Sequence, residues 1–161
     1  RQRMCLVTEF KAHENLIFGY HHQEPYSKNS ILQEKEIMSF SKKVMEEYDV
    51  RPRSPNLMTS NFSGGNQQKI ILSRELNENP KVLLIGQPTR GVDIGAIEFI
   101  HQRLIDMRDK GAAILLVSVE LEEVLSLSDR IVVMFDGNIV GEKVNKDVTD
   151  RDLGLLMAGV A

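Results

Sequence analysis

The sequence predicts an α/β fold, a helical part followed by a mostly parallel sheet, on three observations. Two short apolar runs, residues 82–85 and 113–118, read as buried strands. Between them, residues 94–110 set Ile97, Ile100, Leu104 and Met107 on one helical face. Strand, helix, strand in that order is a parallel βαβ unit, expected to be covered on both faces. Before this unit, residues 1–80 hold few β-branched runs and read as mainly helical. The expected division is therefore residues 1–80, a helical subdomain, and residues 81–161, the sheet part.

The elements follow in order. Residues 6–10 fit neither period clearly. Residues 12–19 read as a short helix with His13, Glu14 and Asn15 on its polar side. Pro25 and Asn29 make residues 21–29 a loop. Residues 31–48 read as an amphipathic helix, because Ile37, Phe40, Val44 and Tyr48 recur at three- and four-residue spacing. On it Lys42-Lys43 and Glu46-Glu47 form i,i+4 pairs on an exposed face. Pro52 and Pro55 break the chain, and Ser63-Gly64-Gly65 opens a helix running to about residue 77. After residues 94–110, Gly111 reads as a C-terminal cap. Residues 120–127 are a short helix. Asp136-Gly137 between apolar runs signals a tight hairpin of type I′. Residues 151–158 form a closing helix.

The composition excludes several classes. The 161 residues are 42% hydrophobic and 27% charged, so disorder across the whole length is excluded. Twenty Lys and Arg against 23 Asp and Glu leave a net charge of −3, with no basic surplus for a nucleic-acid partner. The single Cys5 excludes an intrachain disulfide framework and a Cys-rich zinc site, and fits a reducing cytoplasm. No apolar run approaches the ~20 residues of a membrane span, and no secretory segment opens the chain. The chain opens on Arg1, which reads as a piece of a longer protein.

Chemistry concentrates in two places. In a parallel α/β unit, ligands bind at the carboxyl ends of the strands. Here those ends are Ile85-Gly86-Gln87-Pro88 and Val117-Ser118-Val119-Glu120. The second place is Asn61-Phe62-Ser63-Gly64-Gly65-Asn66-Gln67-Gln68-Lys69, a hydroxyl and two glycines opening a helix. A helix N-terminus offers unpaired N–H groups and partial positive charge, and glycines let an anion approach the backbone. Taken alone, Ser63 is only an N-cap. Its partner segment, Gln87-Pro88-Thr89-Arg90-Gly91-Val92-Asp93 directly after an apolar strand, changes that reading.

Together these segments resemble the ATPases of ABC transporters. Phe62-Ser63-Gly64-Gly65-Asn66-Gln67-Gln68 is similar to the signature motif in sugar and nucleoside importers. Residues 82–87 fall at the Walker B strand, Gly91-Val92-Asp93 at the D-loop, and Val117-Ser118-Val119-Glu120 at the switch histidine. Residues 3–15 resemble the stretch just beyond the Q-loop. Gln87-Pro88-Thr89-Arg90-Gly91 with residues 95–101, and the closing residues 153–159, are similar to the second ATPase domain of purine-nucleoside and simple-sugar importers. The resemblance covers nearly the whole chain in order, and implies a partial P-loop NTPase domain.

The departures carry as much information. No G-x-x-x-x-G-K-[ST] loop occurs. Gly86 stands where the family has the Walker B aspartate, so no carboxylate supports magnesium there. Gln87 stands where the family has the catalytic glutamate, and an amide accepts no proton as a base. Val119 stands at the switch histidine. Pro88 and Asp93 fix the register on both sides. The resemblance thus implies a domain without an intact catalytic set of its own. Ser63, Gly64, Gly65 and Asn66 would meet the γ-phosphate of the partner domain's nucleotide in trans. Gln67 would support that loop or the ribose, and Asp93 would lie at the domain interface.

The whole protein implied is an ABC-type importer ATPase for nucleosides or simple sugars, using ATP and Mg2+, with this fragment inactive alone. Its partners would be the N-terminal ATPase domain of the same chain, membrane permease subunits and, indirectly, a substrate-binding protein. It would sit peripherally on the cytoplasmic face of the membrane, with residues 10–75 facing the permease. Two other readings stay open. A non-transport ABC ATPase of DNA repair or translation would carry coiled-coil insertions or basic linkers, and this chain has neither. An interaction domain that had lost nucleotide binding would have no reason to keep Ser63-Gly64-Gly65. No metal site is expected. His13, His21, His22 and His101 lack ligand spacing and read as surface residues. Glu120, Glu122 and Glu123 read as a solvated helix start.

Overall fold

The computed structural model describes residues 5–146 and 148–160. Arg3 and Met4, the first two residues of the 3–15 stretch, lie outside them. The chain forms two compact units. The first runs to Lys81 and takes in Thr89–Ile100. The second comprises Val82–Pro88 and everything from His101 onward.

In the first unit, α1 (Ala12–Leu16) buries Ala12, Asn15 and Leu16. Its backbone entry is held by the Lys11 N–H, which donates to the Glu14 carboxylate at 2.7 Å. Next comes an antiparallel hairpin of β1 (Ser27–Lys28) and β2 (Ile31–Leu32). Here the structure corrects the sequence reading, which placed 31–32 in a helix. Asn29 and Ser30 both take positive φ, +51° and +63°. That geometry closes a two-residue hairpin whose turn twist matches the strands. The following helix, α2 (Glu34–Glu47), therefore starts three residues later than the periodicity alone implies. Ile17, Tyr26 and Ile37 form a buried cluster with Tyr20 and Phe40 packed against it.

The end of α2 is shaped by one residue. Asp49 takes φ +45°, the Val50 N–H donates to the Met45 carbonyl, and the Asp49 N–H donates to the Glu46 carbonyl. This is the paired 6→1 and 5→2 pattern in which glycine is the usual left-handed residue. Glu46 and Glu47 are exposed as read, but Glu46 pairs with Arg53 beyond the helix end, at 3.2 Å. A 3₁₀ turn, Thr59–Asn61, then leads to α3 (Gly64–Asn77). Arg74 of α3 points inward. Its guanidinium donates to the carbonyls of Asn15 at 3.3 Å and Cys5 at 3.0 Å. Helix α4 (Ile94–Asp109) begins in this unit.

In the second unit, β3 (Val82–Gly86) and β4 (Ala113–Val117) pair in parallel, from Val82 opposite Ala113 to Gly86 opposite Val117. Both strands and their parallel pairing match the sequence reading. Cover on both faces does not. Side chains alternate across a sheet, and the face carrying Val82, Leu84, Leu115 and Val117 is 54–72% exposed residue by residue. Only the other face, with Ile85 buried and Leu83, Ile114 and Leu116 half-buried, is covered. The described residues supply one covering layer, and a fully apolar strand needs two.

After β4 come α5 (Leu121–Leu127), the hairpin β5 (Arg130–Phe135) and β6 (Asn138–Val144), and α6 (Asp150–Met157). Asp136 and Gly137 have φ of +46° and +75°, the two left-handed residues of the expected I′ turn. Ile131, Val133 and Leu153 form the core here. Helix α6 opens with a reciprocal cap between Thr149 and Asp152. One polar pair contradicts the surface reading of the histidines and glutamates. Glu123 is buried, and its Oε1 lies 3.2 Å from His101 Nε2. Glu120 and Glu122 are exposed, whereas Glu123 lies on the inward side of its helix, one turn from Leu127. His13 is half-buried as well, with Nδ1 2.9 Å from the Pro55 carbonyl oxygen. His21 and His22 are exposed.

Candidate functional site

Ser63 is the N-cap of α3. Its extended backbone, φ −61° and ψ 158°, leads into the helix at Gly64. The Ser63 hydroxyl oxygen accepts from the Asn66 N–H at 3.4 Å and from Asn66 Nδ2 at 2.9 Å. The Asn66 amide oxygen accepts from the Arg51 main-chain N–H at 2.7 Å. Gln67 is buried, and its amide nitrogen donates to the carbonyls of Thr59 at 3.2 Å and Phe62 at 3.0 Å. It ties the 3₁₀ turn to the start of the helix and so holds the loop from behind. Ser63 and Gly64 are exposed at the helix mouth.

Gly65 is buried for a steric reason. A β-carbon there would lie 2.8 Å from the Asp93 carboxylate and 3.2 Å from the Ala96 β-carbon. Glycine lets the start of α4 lie directly against the start of α3. Asp93 caps α4, accepting from the Ala96 N–H at 2.9 Å. The structure therefore brings Ser63, Gly64, Gly65, Asn66, Gln67 and Asp93 together. Two helix N-termini face the same region.

A cavity of about 280 Å³ opens beside them, lined by Asp49, Arg51, Gly65, Asn66, Lys69 and Asp93. Lys69 is held there by the Asp49 carbonyl at 3.1 Å, with its ammonium 4.8 Å from the centre of the Phe99 ring. The Arg51 guanidinium bonds the Asp49 carboxylate at 2.8 Å. That hydrogen bond holds the Asp49 carboxyl below the usual range, reinforced by the charges of Arg51, Lys69 and Arg53. Asp49 is thus ionised at neutral pH and keeps the cationic side chains in place. Sequence reading took Lys69 only as the end of the 61–69 segment and missed Asp49 and Arg51. Nothing in residues 49–53 announces that their backbone folds against Asn66, a contact across fifteen positions.

The strand-end residues lie in the second unit. Gly86 closes β3 opposite Val117, and the Gln87 N–H donates to the Val117 carbonyl at 2.8 Å. Gln87 takes φ +51°, uncommon for a residue with a β-carbon. Its amide oxygen is buried and accepts no hydrogen bond among the described residues. Val119 is exposed. The donor set at this strand end does not fit a divalent cation, because Gly86 has no side chain and Gln87 offers one neutral amide oxygen. The mouth of α3, with a hydroxyl and first-turn N–H groups, fits phosphoryl oxygens.

No protein-family model matches the chain. It is 45% identical over 159 residues to the guanosine import ATP-binding protein NupO of Bacillus subtilis. Identity is 46% over 159 residues to the nucleoside import ATP-binding protein NupA of Lactococcus lactis subsp. cremoris. Each match takes in 99% of this chain and 31% of the relative, so the chain spans about a third of the curated relatives it matches. Among solved structures, a nucleotide-free ATP-binding cassette from an ABC transporter superposes with a TM-score of 0.70 at 26% identity, over 88% of this chain and 58% of that one. The chain has the fold of an ATP-binding cassette of ABC transporters and is similar along nearly its whole length to nucleoside import ATP-binding proteins.

A second cassette, the dimeric MJ0796 in a post-hydrolysis state bound to ADP and Pi, shares the fold at a TM-score of 0.71 and 24% identity, over 92% of this chain and 62% of that one. The stretch 62–68, which resembles the signature motif, runs through the Ser63 cap into α3, and Asp93 packs on its Gly65. Strand β3, whose position resembles the Walker B strand, ends on Gly86, with Gln87 directly after it.

Proposed function

We propose that the chain is part of the second ATPase domain of an ABC importer ATPase that drives uptake of nucleosides, and that it completes the ATP site of a partner domain. The observation that carries this reading is the 45–46% identity, across 99% of the chain, to two proteins whose names are guanosine import and nucleoside import ATP-binding protein. A ribose import protein of Streptococcus agalactiae lies further off at 34%.

The residues divide the work. Ser63 and the first-turn N–H groups of α3 present donors and positive potential to the γ-phosphate of ATP bound by the partner domain. Gly64 keeps the approach clear of a side chain, and Gly65 admits Asp93. Asn66 and Gln67 hold the loop, and Asp93 sets the start of α4 beside it at the domain interface. ATP with Mg2+ supplies the phosphoanhydride bond whose hydrolysis drives transport. In the chain's own strand-end site, Gln87 cannot take a proton from water and Gly86 cannot support a metal. Hydrolysis therefore runs at the partner's site, and the chain alone is inactive. Permease subunits anchor the protein at the cytoplasmic face of the membrane. Among the described residues no helix is long and apolar enough to cross it.

The test uses the full-length protein reconstituted with its permease and binding protein in vesicles. Uptake of labelled guanosine and of labelled ribose is measured with and without ATP on the ATPase side. ATP-dependent guanosine uptake well above ribose uptake is expected. Ribose uptake alone would overturn the nucleoside assignment, and no ATP-dependent uptake of either would overturn the importer reading.

A further inference from the structure

We propose that Asn66 is a positioning residue that makes the Ser63 hydroxyl an outward hydrogen-bond donor, and that the main-chain N–H of Arg51 fixes Asn66 in this sense. The inference rests on the reading above, in which Ser63 meets a phosphoryl oxygen. It adds how that serine is prepared, and removes Asn66 from direct contact with the nucleotide.

The argument is one of counting donors and acceptors. A main-chain N–H can only donate, so the Asn66 atom 2.7 Å from the Arg51 nitrogen must be its amide oxygen. The other end of the same amide is then NH2, and it donates to Ser63 Oγ at 2.9 Å. The Asn66 main-chain N–H donates to the same oxygen at 3.4 Å. A serine hydroxyl has two lone pairs and one proton. Both lone pairs are engaged from the Asn66 side, so the capacity left to Ser63 is its proton. Phosphoryl oxygens at neutral pH are acceptors. A serine free to rotate would present a lone pair to the ligand part of the time. The Arg51–Asn66–Ser63 chain removes that orientation before the ligand arrives, which is preorganisation of a donor.

The geometry also says why Asn66 is the positioning group and Ser63 the contact. The acceptor and one donor hydrogen of the Asn66 amide are used inside the protein, towards residue 51 and residue 63. Arg51 lies fifteen positions from Asn66 in sequence, in the short segment that follows α2. Arg51 contributes through its backbone, so its side chain is free to serve Asp49.

The experiment is a double-mutant cycle in the full-length protein assembled with its permease, reading ATPase turnover. The variants are Ser63→Ala, Asn66→Ala and the pair. Alanine is a good helix former, so α3 is retained, and thermal unfolding of each variant checks this. Asn66→Ala is expected to lower turnover about tenfold when Ser63 is present, the size of one oriented hydrogen bond. In the Ser63→Ala background the same change should have almost no effect. Asn66→Gln, which keeps one acceptor and one donor on the amide, should restore most of the turnover. An equal loss from Asn66→Ala in both backgrounds, or no rescue by glutamine, overturns the positioning role and leaves the phosphate reading standing. Unchanged turnover in Ser63→Ala overturns the phosphate reading itself.

Discussion

Asn15 is fully buried on α1, yet its amide is satisfied on every side. Its oxygen accepts from the Val7 N–H at 2.9 Å, and its nitrogen donates to the Val7 carbonyl and to Thr59 Oγ1, both at 2.8 Å. Thr59 opens the 3₁₀ turn whose carbonyl receives Gln67, so the chain of contacts runs from α1 to the loop behind Ser63. Replacing Asn15 with alanine leaves the part-buried Val7 N–H without its acceptor. A buried unsatisfied group costs about 1–3 kcal/mol, and the loss of all three bonds should bring Asn15→Ala to the upper end of that range. Urea unfolding of the chain reads this as a lower midpoint at unchanged m-value. A midpoint within error of the unmutated chain would show that Asn15 does not brace the loop. The sequence reading had assigned Asn15 to the polar side of a short helix. Its burial depends on Val7 and Thr59, and no local pattern records the second of these partners.

Elements whose form depends on near neighbours were readable from the sequence. Ser63-Gly64-Gly65 started a helix because a hydroxyl cap acts within three residues. Asp136-Gly137 made its hairpin because a I′ turn needs two left-handed residues side by side. The hairpin at residues 27–32 was missed because Asn29-Ser30 is a weaker signal than Asn-Gly and the apolar period ran through Ile31. The inward turn of Glu123 was missed because its partner, His101, lies on another helix. Most telling is the β3–β4 sheet, whose strands were found but whose bare face was not. Periodicity reports that Val82, Leu84, Leu115 and Val117 are apolar, and says nothing about what covers them. A contiguous apolar face with open strand edges invites association. The isolated chain should therefore grow in apparent mass with concentration by light scattering, and Leu84→Lys should reduce that growth. A clean monomer over a wide concentration range would contradict this account of the sheet.

Across the chain the two chemically marked regions carry opposite messages. The mouth of α3 is built throughout: cap, braced loop, a glycine that admits Asp93, and three cationic side chains paired with Asp49. The end of β3 carries Gly86 and Gln87, neither of them a carboxylate, where the resemblance implies acidic residues. The likeness to ABC cassettes makes the pair intelligible. Under the proposed function, this segment gives up its own chemistry and completes another site through the mouth of α3. The mouth of α3 could be read from residues 61–69 with the resemblance, whereas the brace from Arg51 could not, since it is a backbone contact between distant segments.

The measurement that separates these roles most directly is ATPase turnover of Ser63→Arg and Gln87→Ala, each in the full-length protein assembled with its permease. Ser63→Arg places a long side chain where a phosphoryl oxygen should enter. Loss of one charge-assisted hydrogen bond, about 1.5–3 kcal/mol, corresponds to roughly a tenfold to hundredfold loss of rate, and steric exclusion should deepen it. Gln87→Ala removes an amide that was never a base, and should leave turnover nearly unchanged. A protein nearly silenced by Ser63→Arg and nearly normal with Gln87→Ala is the result this account requires. Normal turnover with Ser63→Arg, together with loss of activity in Gln87→Ala, would contradict it.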